Sequence, residues 1–276
     1  MKIFRIILLG CLAIVWIAAC GEQTVAPPSP DPVDSLHNEG EDGIEYGPVE
    51  VALWKVLGKS PLNATKKEFN VTKGELARVT HLPRVWAGLS AGYLRQYEMD
   101  LLTACVNLVE LGILGQGVTN EQLEALAGLT KLESLKLHGS RISDLSPIAR
   151  LTNLRTLDIW GDRIADLSPL AGLVNLWSLD LSSNEISDLS PLAGLVNLQR
   201  LGLSSNKIAD LSPLVGLVQL ERLNLRNNEI VDIQPLLDNI GIGEDDLIEL
   251  QGNKLSDISR QQLIPALKAR NVTVRW

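Results

Sequence analysis

A unit of 22 residues recurs along the second half of the chain. Residues 173–194 read LVNLWSLDLSSNEISDLSPLAG, and residues 195–216 read LVNLQRLGLSSNKIADLSPLVG. Earlier copies begin at Leu129 and Leu151, and a fifth copy, which drifts from this pattern, begins at Leu217. Identical spacing of this kind is typical of a chain that stacks one small structural unit. Such stacks usually present a long surface for binding and rarely contain a catalytic pocket.

Each unit predicts a short strand followed by a short helical segment. Counted from the first leucine, apolar residues fall at positions 1, 4, 7, 9, 14, 17 and 20. Positions 6–10 alternate between polar and apolar, as in residues 178–182, which indicates a strand with one buried face. The second half of the unit contains Ser-Pro. Here Ser is expected to cap free N–H groups and Pro to occupy the first position of a short α- or 3-10 helix.

Two polar positions recur with the unit. Position 12 carries an amide that both donates and accepts, so stacked copies can satisfy the buried backbone of neighbouring turns. The predicted structural ladder consists of Asn184, Asn206, Asn228 and Asn253. Ser140 and Asp162 replace Asn in two earlier units, so the ladder is incomplete towards the N-terminus. Position 16 is Asp in successive units; a metal-binding series is the alternative to a structural role, but each Asp lacks a second acidic or His ligand in its own turn.

The consensus L-x-x-L-x-L-x-x-N-x-I-x-D-L-x-P-L resembles the leucine-rich repeats of bacterial internalin-like proteins, over residues 105–276. This resemblance implies an α/β fold, a right-handed leucine-rich repeat solenoid. A parallel β-sheet would form the concave face, and short α or 3-10 segments would form the convex face. Two turns are longer than the others: the turn from Cys105 has 24 residues, and the turn from Leu217 gains residues 239–241. Both insertions are expected on the convex side.

We divide the chain into four segments. These are a lipoprotein signal peptide (1–19), a lipidated cysteine with a disordered tether (20–47), a helical N-terminal cap with a degenerate first repeat (48–104), and the repeats with a C-terminal cap (105–276). Residues 48–58 have apolar residues at helical spacing, and a capping-box pattern begins at Thr72. In the degenerate repeat, Trp86 is expected at position 8. Residues 262–270 predict a helix, and residues 272–274 predict the last strand.

The N-terminus resembles a bacterial lipoprotein signal. Lys2 and Arg5 precede an uncharged apolar run over residues 6–19, which is shorter than the roughly 20 residues of a membrane-spanning helix. Residues 17–21, IAACG, resemble the lipobox, and the resemblance implies cleavage before Cys20 and lipidation of its thiol. The alternative is an ordinary signal peptide with an incidental cysteine.

The predicted lipidation, the cysteines and the net charge indicate where the protein is located and which partners are excluded. Lipidation would place the protein in the bacterial cell envelope as a membrane-anchored lipoprotein. The residues after the cysteine lack an inner-membrane retention Asp, which favours the outer membrane or cell surface. A single cysteine, Cys105, would then remain, so we expect no intrachain disulfide. A net charge of −8 argues against a nucleic-acid partner.

Strand positions 6, 8 and 10 are expected to point away from the core and to form the concave binding face that the resemblance implies. The predicted ligand-binding residues lie at these positions, apart from Trp177, which is at position 5. They are Lys136, His138, Asp158, Trp160, Trp177, Asp180, Arg200, Arg222, Asn224 and Arg226. Trp and Arg are enriched at the energetic hot spots of protein interfaces. We expect an aromatic part with His138, Trp160 and Trp177, and a basic cluster formed by the three arginines. The alternative is that these are ordinary solvated positions of a structural repeat.

These features predict a non-catalytic, lipid-anchored binding module that recognises a protein, or a glycan, through its concave face outside the cytoplasm. The alternative is a structural, self-associating scaffold of the envelope. The sequence contains no Ser/His/Asp set, metal-ligand spacing or phosphate loop, so we expect neither catalysis nor a cofactor. The sequence leaves the oligomeric state and the identity of the ligand open.

Overall fold

A computed structural model describes residues 48–58, 72–87, 94, 96–115 and 118–276. The predicted signal peptide and tether, including Cys20, lie outside the described residues.

The described residues form one parallel sheet of nine strands, in which spatial order follows chain order. The strands are β1 (His81–Ala87), β2 (Glu110–Gly115), β3 (Ser134–His138), β4 (Thr156–Trp160), β5 (Ser178–Asp180), β6 (Arg200–Gly202), β7 (Arg222–Asn224), β8 (Leu247–Glu249) and β9 (Thr273–Arg275). From β2 to β7, residues at the same position of the unit pair with one another, as Leu135 does with Leu157. Because each repeat adds one strand beside the last, the chain forms an open solenoid, and the predicted fold class is confirmed.

Two helices precede β1, and the other helical segments connect successive strands. The α-helices are α1 (Pro48–Leu57), α2 (Lys73–Leu76), α3 (Gln96–Ala104), α4 (Asn120–Leu126), α5 (Gln234–Asp238) and α6 (Ile264–Lys268), and a π-helical turn at Ser259–Leu263 precedes α6. Short 3-10 helices span Ser146–Arg150, Ser168–Leu170, Ser190–Leu192 and Ser212–Leu214. The helix predicted over residues 48–58 is confirmed. The helix predicted over residues 262–270 is a helical segment that begins earlier, with the π-helical turn at Ser259, and continues as α6 to Lys268, where the left-handed backbone of Asn271 (φ 64°) stops it.

The predicted capping of the 3-10 helices by Ser is wrong. The residue before each helix is Leu, and its side chain makes no capping bond. Instead, the position-16 carboxylate accepts the N–H of the Ser two residues later, for example from Ser168 N to Asp166 Oδ1 at 2.8 Å. The Ser168 hydroxyl and its N–H together hold the pKa of the Asp166 carboxyl below its usual range. The recurring Asp is thus a structural residue of the turn.

The core is an aliphatic ladder. In the turn from Leu173, the side chains of Leu179, Leu181 and Ile186 are at most 1% exposed, and the equivalent residues of neighbouring turns stack on them. Burying a side chain of this size stabilises the fold by about 2 kcal/mol, so the burial of these leucines and isoleucines is a main source of the stability of each turn. Cys105 is buried in the same core as a free thiol, and burial raises its pKa to about 11.

The predicted asparagine ladder is confirmed. In Asn206, Oδ1 accepts the N–H of Ile186 at 3.0 Å, and Nδ2 donates to the carbonyls of Leu181 (3.0 Å) and Leu203 (3.1 Å). Asn184, Asn228 and Asn253 make the equivalent bonds in their own turns. The two substitutions leave defects, because Ser140 Oγ and Asp162 Oδ2 are buried without a hydrogen-bond partner.

Two further functions of asparagine were not predicted. A second, exposed row at position 3 donates to the carbonyl of the preceding turn, as Asn197 Nδ2 does to Val174 O at 2.8 Å. In the insertion at residues 239–241, Asn239 is fully buried, and its Nδ2 donates to two backbone carbonyls. A Cβ on Gly241 would collide with the carbonyl oxygen of Val218. These contacts fix the inserted loop against the previous turn.

The position assigned to Trp86 is wrong. Leu82 pairs with Leu111, but the register then shifts by one residue, so Trp86 pairs with Leu114. Leu114 is position 10 of its unit, whereas the sequence analysis placed Trp86 at position 8. The extra residue between Leu82 and Val85 is a bulge-like irregularity next to a proline in the strand, and such an irregularity is not visible in hydrophobic spacing.

Candidate functional site: the concave strand face

Strand register arranges the predicted ligand-binding residues in three rows, with neighbouring strands about 4.8 Å apart. Position 6 contributes Glu110, Ser134, Thr156, Ser178, Arg200 and Arg222. Position 8 contributes Gly112, Lys136, Asp158, Asp180, Gly202 and Asn224. The position-10 residues Leu114, His138 and Trp160 are also paired. We call this surface the concave strand face.

One part of the face joins His138, Asp158 and Trp160. The rings of His138 and Trp160 lie 5.2 Å apart at a tilt of 44°. His138 Nε2 lies 2.9 Å from Asp158 Oδ2, a distance suited to an ion pair when His138 is protonated, but the angles do not form a hydrogen bond. Trp160 remains 41% exposed. The structure therefore brings together these two aromatic residues, and it adds a carboxylate to them.

Trp177 does not join this group. The backbone N–H of Trp177 donates to the carbonyl of Arg155 at 3.0 Å, and Arg155 precedes β4. Trp160, by contrast, is the last residue of β4. Position 5 lies at the N-terminal end of a strand and position 10 at its C-terminal end, so the two Trp side chains are separated along the strand direction. Trp177 instead contacts Arg200, whose guanidinium carbon lies 5.3 Å from the centre of the indole ring.

The three arginines also divide into two places. Arg200 and Arg222 are register partners on β6 and β7, and both side chains are exposed. Arg226 follows β7 at the other end of the strands, where its Nη1 lies 3.8 Å from Glu249 Oε1. The same carboxylate accepts from Arg275 at 3.1 Å. The predicted single basic cluster is therefore an arginine pair and a separate arginine that shares the Glu249 carboxylate with Arg275.

A groove with a volume of about 560 Å³ lies at the N-terminal ends of the strands. It is lined by His81, Val109, Glu110, Glu133, Ser134, Lys136, Thr156, Leu157, Asp158, Trp177, Ser178 and Asp180. Glu110 and Glu133 were absent from the predicted set. Glu133 lies at position 5 and Glu110 at position 6 of their units, so their acidic side chains at these strand positions were the signal in the sequence.

Some polar groups of the groove have hydrogen-bond or ion-pair partners, and others have none. Asp158 Oδ1 and Thr156 Oγ1 are buried without hydrogen-bond partners. Glu133 Oε2 lies 3.2 Å from Arg155 Nε. Asp180 Oδ1 accepts the N–H of Ser182 at 2.9 Å, and this bond turns its carboxylate along the strand. At the same position, Asn224 Oδ1 accepts the N–H of Arg226 at 3.2 Å. Asp180 and Asn224 thus support the backbone as well as lining the face.

The chemistry of the face suits binding by contact and charge. No group of three or more His, Cys, Asp or Glu side chains that could hold a metal ion occurs within the described parts of the chain. In those same parts, none of the helices has the length and apolar character needed to cross a bilayer. The exposed Trp and the arginine pair are the groups that a partner would contact.

Comparison with known proteins agrees with this architecture. Residues 130–172 and 196–238 match the family described as "Leucine Rich repeats (2 copies)", and residues 152–208 match "Leucine rich repeat". The fold is a leucine-rich repeat solenoid. Comparison with curated proteins gives no match.

The similar solved structures include the following two. Internalin C2 of Listeria monocytogenes is 28% identical, with a TM-score of 0.62, over 92% of this chain and 100% of that one. A leucine-rich repeat protein of Leptospira interrogans is 23% identical, with a TM-score of 0.57, over 67% of this chain. The alignment spans only 46% of the Leptospira chain, and this likeness concerns the fold alone. The first similarity supports the resemblance to internalins seen in the repeat consensus.

Proposed function

We propose that this leucine-rich repeat protein is a non-catalytic binding module that recognises a protein partner through its concave strand face. The observation that carries the proposal is the contrast between a repeated scaffold and a varied face. The core, the Asn ladder and the Asp-capped turns repeat almost unchanged, whereas positions 6, 8 and 10 change residue type from strand to strand. Leucine-rich repeat modules commonly recognise proteins, which agrees with this contrast.

Trp160 is the residue on which we expect binding to depend most. An indole that is 41% exposed on a sheet face offers a large apolar area at a small cost in side-chain entropy. Truncating a central Trp of this kind removes about 2 kcal/mol or more of binding free energy at typical interfaces. Glycans also stack on exposed indoles, so a glycan is the alternative class of ligand at the same residue.

The test uses the full chain, immobilised, with envelope and extracellular extracts of the organism that produces it. A protein retained by the wild type should be retained at least about tenfold less by Trp160→Ala. Trp276→Ala is the matched control, since Trp276 is also exposed (53%) but lies beyond the last strand. Equal retention by wild type and Trp160→Ala would exclude this face as the binding surface.

The proposal includes a lipid anchor at Cys20 and a location in the bacterial cell envelope, on the outer membrane or cell surface. Its support is the sequence of residues 1–21, with two early cations, an apolar run and a cysteine after small residues. Two or more acyl chains anchor stably where one chain binds only marginally. Labelling cells with a fatty-acid analogue should mark the wild type and leave Cys20→Ser unmarked. Labelling of Cys20→Ser would contradict the anchor.

The second candidate function is a self-associating envelope scaffold. It is favoured by a row of exposed valines at position 2 of three successive turns, where Val174, Val196 and Val218 are 50%, 50% and 44% exposed. Stacking this row against a second copy would bury apolar surface. Sedimentation of the wild type and of Val196→Lys discriminates the two candidates. A wild-type oligomer that Val196→Lys dissociates supports the scaffold, and a monomer at all concentrations excludes it.

A further inference from the structure

We infer that the partner of the concave strand face is a protein segment carrying two opposite charges at a fixed spacing. An acidic side chain of the segment binds the pair Arg200 and Arg222, and a basic side chain binds the part of the groove around Asp158, about 12 Å away, a distance set by the strand spacing. This inference rests on the proposed function, and it specifies the chemistry of the partner.

The arginine pair is the first observation. Arg200 and Arg222 lie side by side on adjacent strands, with both side chains exposed. Within the described residues, neither has a carboxylate within ion-pair distance, and the contact of Arg200 is the Trp177 ring. Asp180, at position 8 of the neighbouring strand β5, turns its carboxylate towards Ser182 N and over Gly202, along the strand and away from position 6.

Adjacent guanidinium groups of this kind favour an anion. Two cations about 5 Å apart repel each other, and a carboxylate placed between them removes that repulsion while accepting bidentate hydrogen bonds. By contrast, Arg226 and Arg275 on the same sheet already share the carboxylate of Glu249. The Trp177 ring fixes the Arg200 side chain, so less side-chain entropy is lost when an anion binds.

The groove carries the opposite charge. Its lining includes the carboxylates of Glu110, Glu133, Asp158 and Asp180, and its cationic groups are Lys136 and, when protonated, His81. Beside the lining, Arg155 pairs with Glu133, and the His138 ring lies 2.9 Å from Asp158. Within the described residues, Glu110 and Asp180 are therefore the carboxylates of this lining without a cationic partner. Asp158 Oδ1 is buried without a hydrogen-bond partner, and so is Thr156 Oγ1. An ammonium or guanidinium group donates several hydrogen bonds, so it can bind several of the accessible carboxylate oxygens of this lining together.

The distance between the two charged places sets the spacing in the ligand. The arginine pair lies on β6 and β7, and Asp158 lies on β4, so two to three strand intervals of about 4.8 Å separate them. An extended peptide advances about 3.3 Å per residue, so its acidic and basic residues should be about three to four positions apart. The segment crosses the strands, with its acidic end towards the C-terminal repeats.

The same charges disfavour a polyanion. A sulfated glycan or a nucleic acid that reached the arginine pair would extend over the four carboxylates of the groove. The chain as a whole carries a net charge of −8, which adds to that repulsion. A protein segment with one acidic and one basic group therefore fits the face better than a polyanion does.

The test is a selection of displayed random 12-residue peptides on the full chain, followed by affinity measurements on synthetic copies. We expect the selected peptides to carry Asp or Glu three to four positions from Lys or Arg. Their affinity should fall at least about tenfold for the double variant Arg200→Gln/Arg222→Gln, because charge-assisted hydrogen bonds are lost. Arg163→Gln/Arg260→Gln is the matched control, since it removes the same charge from exposed residues outside the strands.

The outcomes separate this inference from the proposed function. Peptides that lose affinity with Trp160→Ala but tolerate the double arginine variant would overturn the inference and leave the binding face intact. Peptides that tolerate both changes, or no selected peptide at all, would contradict the proposed function as well. Heparin-type chains competing better than the selected peptides would overturn the inference in favour of a polyanionic ligand.

Discussion

Asp162 places a buried carboxylate at a position where the later repeats have Asn, and replacing it with Asn should stabilise the protein. It occupies position 12, where the later turns have Asn, and it is 8% exposed. Its Oδ1 accepts the N–H of Ile142 at 2.8 Å, as the Asn does, but its Oδ2 is buried without a partner. An amide there would donate to backbone carbonyls, as Asn184 Nδ2 does to Ile159 and Leu181.

The magnitude follows from the pKa of the carboxyl. Burial raises the pKa of Asp162 to about 6, against the smaller, opposing effects of the Ile142 N–H bond and of His138. A folded-state pKa above the unfolded one means that folding favours the protonated acid. The contribution of Asp162 to stability is therefore complete below about pH 3.9 and is lost as the pH rises through about 6. The loss is about 3 kcal/mol in total, of which about 2 kcal/mol falls between pH 4.5 and pH 7.5.

The assay is urea unfolding of wild type and Asp162→Asn at these two pH values, followed by circular dichroism. We expect the variant to be more stable than the wild type by about 3 kcal/mol at pH 7.5 and about 1 kcal/mol at pH 4.5. Asp166→Asn is the matched control, because Asp166 is exposed and its hydrogen bonds to Ser168 lower its pKa, so its contribution has the opposite trend with pH. A stability difference between Asp162→Asn and wild type that does not change with pH would refute the reasoning.

Three further predictions concern the scaffold. Gly241→Ala should lower the free energy of unfolding by more than about 3 kcal/mol, because its Cβ would collide with a backbone oxygen of the preceding turn. Asn206→Ala should lower it by about 2–3 kcal/mol, because the buried N–H of Ile186 loses its acceptor, and the carbonyls of Leu181 and Leu203 each keep only the donor from the neighbouring Asn. Ser183→Gly should raise it by about 0.5 kcal/mol, since Ser183 has a left-handed backbone (φ 58°) that favours glycine. Thermal and urea unfolding measure all three.

Each of these predictions has a control. Gly243→Ala should be nearly neutral, since no atom lies within 4 Å of its added Cβ. Asn197→Ala should cost less than the Asn206 substitution, because Asn197 is exposed. Ser182→Gly lacks the left-handed backbone and should destabilise. Equal effects of the two Gly→Ala or the two Asn→Ala changes, or a loss of stability in Ser183→Gly, would contradict the respective explanation.

The sequence predicted the repeat architecture because the constraint is local and periodic. The leucines at positions 7 and 9 are buried in every turn, so their spacing in the sequence is enough to predict that they lie in the core. The spacing of the position-12 asparagines, such as Asn206, predicts their ladder in the same way. Where the chain departs from the period, prediction failed. Trp86 was misplaced because a one-residue bulge changes the register without changing the hydrophobic pattern. The capping role of Asp166 was missed because the adjacent Ser-Pro pattern is itself a helix-start signal.

The sequence by itself determined which surface is the candidate site, because the period of two in each strand decides which side chains leave the core. The tertiary structure alone decided which of those side chains meet. Trp177 pairs with Arg200 instead of Trp160, and Arg226 lies beside Glu249 instead of joining Arg222. The reason is that parallel register sets both the lateral neighbour and the distance along the strand. A residue's position within its own unit specifies only one of these two coordinates.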